Sequence, residues 1–126
     1  MYWKYPDVKI GDLVGKTITE IHGMEKDSGH ITFMCSDGSE YYMYHDQDCC
    51  ESVYLEDVCG DVSRLLNTPI IKAEENTSND NPLDKYDESF TWTFYTLATV
   101  KGYVDLRWYG TSNGWYSESV DIKKIK

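Results

Sequence analysis

The chain of 126 residues carries 22 acidic against 12 basic residues, a formal net charge of −10, with 40% hydrophobic and 14% aromatic residues. That length suits one domain, 1–126, with 1–15 as a lead-in, and the apolar share suffices for one core. The acidic balance excludes the basic stripe that direct nucleic-acid or anionic-membrane binding needs, and leaves a solvated acidic surface, a basic partner, or carboxylates standing in for the phosphates of DNA.

No run approaches the ~18 apolar residues of a membrane span. The opening MYWKYPDVKIGD lacks the apolar centre of a secretory signal. The expected location is therefore cytoplasmic, with Cys35, Cys49, Cys50 and Cys59 as reduced thiols.

The lead-in contains Pro6, Gly11 and Gly15, with one helical turn expected near 12–14. A strand starts at Lys16, and 23–29 is a polar turn. Next comes a hairpin, 31–35 and 39–44, flanking Asp37-Gly38. Asp-Gly suits a two-residue type I′ turn because both central residues need φ > 0. That register sets Met34 opposite Tyr41, Thr32 opposite Met43 and His30 opposite His45. A strand over 53–58 precedes a short helix near 61–66, with Asp61 as its N-cap, Asn67 as its stop and Pro69 beyond. A strand follows at 70–74. Residues 76–89, NTSNDNPLDKYDES, form a polar loop without periodicity, and loops that long are usually functional or mobile.

The last third is the strongest strand signal. Strands 90–100, 103–109 and 115–122, joined at Lys101-Gly102 and Gly110–Gly114, predict a C-terminal three-strand meander. The expected fold is α+β and β-dominated: about seven strands in a strongly bent antiparallel sheet or a small partly open barrel.

Side chains alternate across a strand, so register assigns faces. A Lys101-Gly102 loop pairs Thr99 with Val104, Leu97 with Leu106 and Tyr95 with Trp108, an apolar face for the core. The opposite face carries Phe90, Trp92, Phe94, Tyr103, Asp105, Arg107 and Tyr109. Aromatic rings stack on planar groups, and an arginine fork grips phosphate or carboxylate. With Asn113 and Tyr116 from the following turn, Trp92, Phe94, Tyr103, Asp105, Arg107 and Tyr109 form a candidate ligand-binding set. The alternative is that Asp105 and Arg107 pair with neighbouring strands while the aromatics fill a second layer beneath the 76–89 loop.

Residues 45–51, HDQDCCE, concentrate reactive side chains. A metal site would use His30, His45, Cys49, Cys50 or Cys59, but the spacing departs from paired structural zinc patterns. A thiol nucleophile is disfavoured by surrounding carboxylates, which raise a cysteine pKa. Carboxylate or Mg²⁺ chemistry would use Asp46, Asp48, Glu51 and Asp57. The structural alternative has Asp46 and Asp48 bonding the backbone of a turn, with Cys49, Cys50 and Cys59 as small buried hydrophobes.

The segments HDQDCCESVYLEDVCGD (45–61), SFTWTFYTLATVKGYVDLRWYG (89–110) and SNGWYSESVD (112–121) resemble a family of small uncharacterised phage and bacterial proteins, a domain of unknown function, over roughly 12–122. The resemblance supplies no catalytic residues. It implies a viral accessory protein in a host cytoplasm. The expected function is a non-enzymatic phage-encoded binding protein that antagonises host antiviral defence, without a cofactor. Its partner is a nucleotide-type small molecule held by the aromatic–Arg107 face, or a basic host defence protein blocked by the acidic surface in an anti-CRISPR manner. The contrasting class is a metal-assisted phosphoester hydrolase built on 45–61. Unpaired sheet edges leave a homodimer open.

Overall fold

The computed structural model describes residues 4–126; the first three residues of the expected lead-in lie outside the described residues. Eight strands are present among the described residues: β1 (Ile18–His22), β2 (His30–Cys35), β3 (Glu40–Tyr44), β4 (Ser52–Cys59), β5 (Lys72–Ser78), β6 (Ser89–Thr99), β7 (Gly102–Ser112) and β8 (Asp121–Lys124). They form two antiparallel sheets, in the orders β1-β2-β3-β8 and β4-β7-β6-β5. The β-dominated reading with little helix holds. Neither sheet closes into a barrel.

The expected helix near 61–66 is one 3-10 turn, Val62–Leu65. Asp61 caps it as predicted, accepting from the Ser63 N–H at 3.0 Å. Asn67 takes a positive φ of 66°, which ends the turn. A second 3-10 turn, Ile10–Leu13, lies in the lead-in and buries Ile10 and Leu13.

The first hairpin departs from its predicted register by one position. Thr32 lies opposite Tyr42, Met34 opposite Glu40 and His30 opposite Tyr44. The Cys35 N–H donates to the Ser39 carbonyl at 2.9 Å, so the loop holds three residues, not two. Gly38 sits at φ 88°, the left-handed position that such loops require. Asp37 locks this geometry by accepting from the Ser39 N–H at 2.9 Å and from Lys16 at 2.5 Å.

The hairpin of β6 and β7 departs by two positions. Leu97 pairs with Val104, Tyr95 with Leu106 and Thr93 with Trp108, and the two-residue turn is Val100-Lys101. An even shift returns every side chain to its own face. Tyr95, Leu97, Val104, Leu106 and Trp108 are therefore buried as expected. They share one core with Ile18, Ile31, Phe33, Met43 and Ile122 from the first sheet and Leu55 from β4.

The three-strand meander is corrected. Chain 113–120 leaves the second sheet, and β8 pairs with β3 of the first, Tyr42 opposite Lys123. The far edge of β7 is taken by β4, with Tyr54 opposite Tyr109. The polar loop is also shorter than predicted: β5 runs to Ser78, so only 79–88 lies outside strands.

Candidate functional site

The outer face of the second sheet carries the predicted ligand set. Strand pairing sets Trp92 opposite Tyr109, Phe94 opposite Arg107 and Ala98 opposite Tyr103. The structure divides these residues among three places.

Trp92 and Tyr109 lie beneath the 79–88 loop. Their rings meet at 4.4 Å. The Trp92 indole N–H donates to the Asn81 carbonyl at 3.1 Å. The Tyr109 hydroxyl accepts from the Leu83 N–H at 3.1 Å and donates to Asp87 at 2.5 Å. Burial first, then Asp87, pushes that phenol up to about 12. These two rings form a second packed layer, with both polar tips committed to the loop.

Phe94, Asp105 and Arg107 line an open groove of about 430 Å³ together with Asp57, Cys59 and Thr96. Arg107 stacks over Trp92 at 5.2 Å from the ring centroid. Its guanidinium already donates to Glu56 at 2.6 Å, and Asp57 lies 3.8 Å away. The arginine fork is thus neutralised within the face. Asp105 accepts from the Thr96 hydroxyl at 2.7 Å. Tyr103 is exposed at the distal end of the same strand.

Asn113 and Tyr116 stand at the opposite end. They line a depression of about 270 Å³ with Cys50, Tyr86, Asp87 and Glu88. A larger cavity, about 580 Å³, lies elsewhere, between the lead-in (Asp7–Gly11), Glu75 of β5 and Val120–Ile122. It contains none of the predicted site residues.

The 45–51 stretch is organised by Glu51, whose side chain is fully buried. Its carboxylate accepts from the Asp48 N–H at 3.0 Å, the Cys49 N–H at 2.8 Å and Gln47 at 3.2 Å, and contacts His45 Nε2 at 2.8 Å. His45 Nδ1 lies 2.7 Å from the Ser119 carbonyl. Its two ring nitrogens thus face a backbone carbonyl and a carboxylate. Burial pushes the Glu51 carboxyl up, and that is the largest single influence. Together the bonds from His45, Cys49 and Asp48 outweigh it and hold the group at about 2.

Several expectations for this stretch are corrected. Glu51, not Asp46 or Asp48, bonds the turn backbone; the Asp46 N–H instead donates to Asp121 at 2.9 Å. Cys49 and Cys50 are exposed and joined to each other (S–S 2.08 Å), not reduced. Cys59 is exposed and free, and only Cys35 is a buried thiol. His30 does not face His45; its ring packs 5.7 Å from that of Tyr42. No cluster of three or more His, Cys, Asp or Glu is placed to hold a metal ion among the described residues.

Sequence reasoning missed Glu56 as the partner of Arg107 and Cys59 as part of the groove, because the pairing of β4 with β7 spans some fifty residues. It missed Tyr86 too, although a lone aromatic in a fourteen-residue polar run was a readable signal.

Two four-stranded antiparallel sheets around a shared core, with a loop sealing part of one outer face, define a two-sheet β domain. The chain belongs to the family described as Domain of unknown function (DUF7448), whose model matches residues 11–122. No curated protein and no solved structure matches it. No helix among the described residues is long and apolar enough to cross a membrane.

Proposed function

We propose that this chain is a non-enzymatic binding protein that engages a basic protein partner through the acidic outer face of its second sheet. One observation carries the reading: Glu56 and Asp57 hold the guanidinium of Arg107, so the groove has no spare cation for a phosphate and keeps Asp105 on its surface. Like charges repel, and an anionic nucleotide would have to displace a formed ion pair. A partner rich in Arg and Lys meets no such obstacle, and the net charge of −10 speeds its encounter.

The anti-defence role belongs to this reading. A phage-encoded protein in a host cytoplasm would cover the basic nucleic-acid channel of a defence protein, carboxylates replacing phosphates. Hydrolysis on 45–61 has less support, because Glu51 and His45 are already engaged with each other and with the loop backbone.

The test compares two probes. A fluorescent nona-arginine peptide is expected to bind, with affinity falling as salt rises, and with no loss in Arg107→Ala. ATP and cyclic dinucleotides are expected to leave the melting temperature unchanged. A nucleotide-induced rise in Tm that vanishes in Arg107→Ala would overturn the proposal in favour of a nucleotide sponge.

A further inference from the structure

Two turns at one end of the second sheet hold aromatic rings in water. Trp115 is 86% exposed and Tyr86 79%. Both turns are pinned by hydrogen bonds. Asn113 accepts from the Trp115 N–H at 3.0 Å, and the Ser112 hydroxyl accepts from the Gly114 N–H at 2.9 Å. Across the depression, Asp84 accepts from the Tyr86 N–H at 2.9 Å.

The Trp115 turn is also anchored from below. Glu118 accepts from Ser112 at 2.5 Å and from Thr91 at 2.8 Å. Its backbone carbonyl packs so closely on Gly110 that an added Cβ would lie 2.6 Å from the oxygen. The ring is therefore displayed on a fixed backbone, which lowers the ordering cost of binding.

The charges around these rings are selective. Asp87 is committed to the Tyr109 hydroxyl. Glu88, on the wall of the depression, is exposed and has neither a hydrogen bond nor an ion pair among the described residues. Tyr86 already attracts a cation: the Lys85 ammonium lies 5.1 Å from its ring centroid. An exposed Tyr ring beside a free carboxylate is matched by a guanidinium, which stacks on the ring and pairs with the acid.

We propose that this end is the docking site for an arginine-bearing segment of a protein partner, one guanidinium set against Tyr86 with Glu88 as counter-charge, and the Trp115 ring, on the turn that brings Asn113 and Tyr116 to the depression, meeting another part of the same segment. The inference rests on the basic-partner reading and gives it an anchor. Strand β7 makes the two surfaces continuous, since it floors the groove at Asp105 and Arg107 and leads into the Trp115 turn.

The probe is again nona-arginine, followed by anisotropy and by tryptophan emission. Trp115→Ala and Tyr86→Ala change no charge, so any loss reports ring contact and not the general field. Each is expected to weaken binding by about five- to tenfold with Tm unchanged. Wild-type affinity in both variants would overturn this site and leave the basic-partner reading intact. No binding to the native protein would overturn both. A concentration-dependent dimer in sedimentation that is lost in Trp115→Ala would assign the patch to a second copy of the chain, and would also overturn the proposal.

Discussion

Residues 45–51 and residues 84–88 are both acidic loops beside the same depression, and they dispose of their carboxylates differently. In the first, Glu51 faces inward and serves backbone N–H groups and a histidine. In the second, Glu88 faces water without a partner, beside a ring that is almost fully exposed. The pair that looked most reactive, His45 and Glu51, is spent on itself and on the loop backbone. Availability for binding is set by what the backbone leaves unsatisfied, and residue type alone does not report it.

The largest effect should come from Glu51. Glu51→Ala strands a buried histidine and two backbone donors, and is expected to lower Tm on the order of 10 °C in thermal denaturation. A change within error would mean that the loop is held by something else.

Acid gives a second, smaller test of the same contrast. The Glu51 carboxyl is depressed to about 2 in the folded chain, below its unfolded value of about 4.3. Its contribution is therefore complete above the unfolded value and is lost as pH falls towards the folded one. Tm measured down that window should drop more steeply in the native protein than in Glu51→Gln. Parallel curves would remove Glu51 from the account of acid sensitivity.

The smallest effect concerns the seal over Trp92. Tyr109→Phe deletes the bonds to Asp87 and to the Leu83 N–H, a loss of ~1 kcal/mol. Hydrogen exchange at the Leu83 amide should accelerate while that of β6 and β7 stays slow. Unchanged exchange at Leu83 would show that the 79–88 loop is held by its other bonds, Trp92 to Asn81 and Asn79 to Phe90.

Alternation over 90–109 was legible because both strands bury one face and because the register error was even. Thr93, Leu97 and Trp108 stayed on the side their spacing gave them. The first hairpin was less legible, since Asp-Gly serves a two-residue turn and a three-residue loop ending in glycine equally well. That odd shift set His30 opposite Tyr44 and took away the paired-histidine reading. The run 115–122 looked like a strand, yet the edge of β7 it needed was already filled by β4. Of the candidate set, chain pattern found the right face; it could not show that a loop covers Trp92 and Tyr109 or that Glu56 reaches Arg107. Those facts depend on contacts distant in sequence.

The order of strands along the chain has a consequence for assembly. Every strand of the second sheet comes from 52–112, an unbroken stretch, whereas the first sheet takes three strands from before it and the fourth from after. One half of the molecule is thus nested inside the other. All strands of the nested half precede Asp121–Lys124 in synthesis, and the outer half, which covers the shared core from the other side, stays one strand short until that segment returns to Tyr41–Tyr44. The acidic groove proposed to meet a partner lies on that nested half, and the Trp115 turn follows it in the chain.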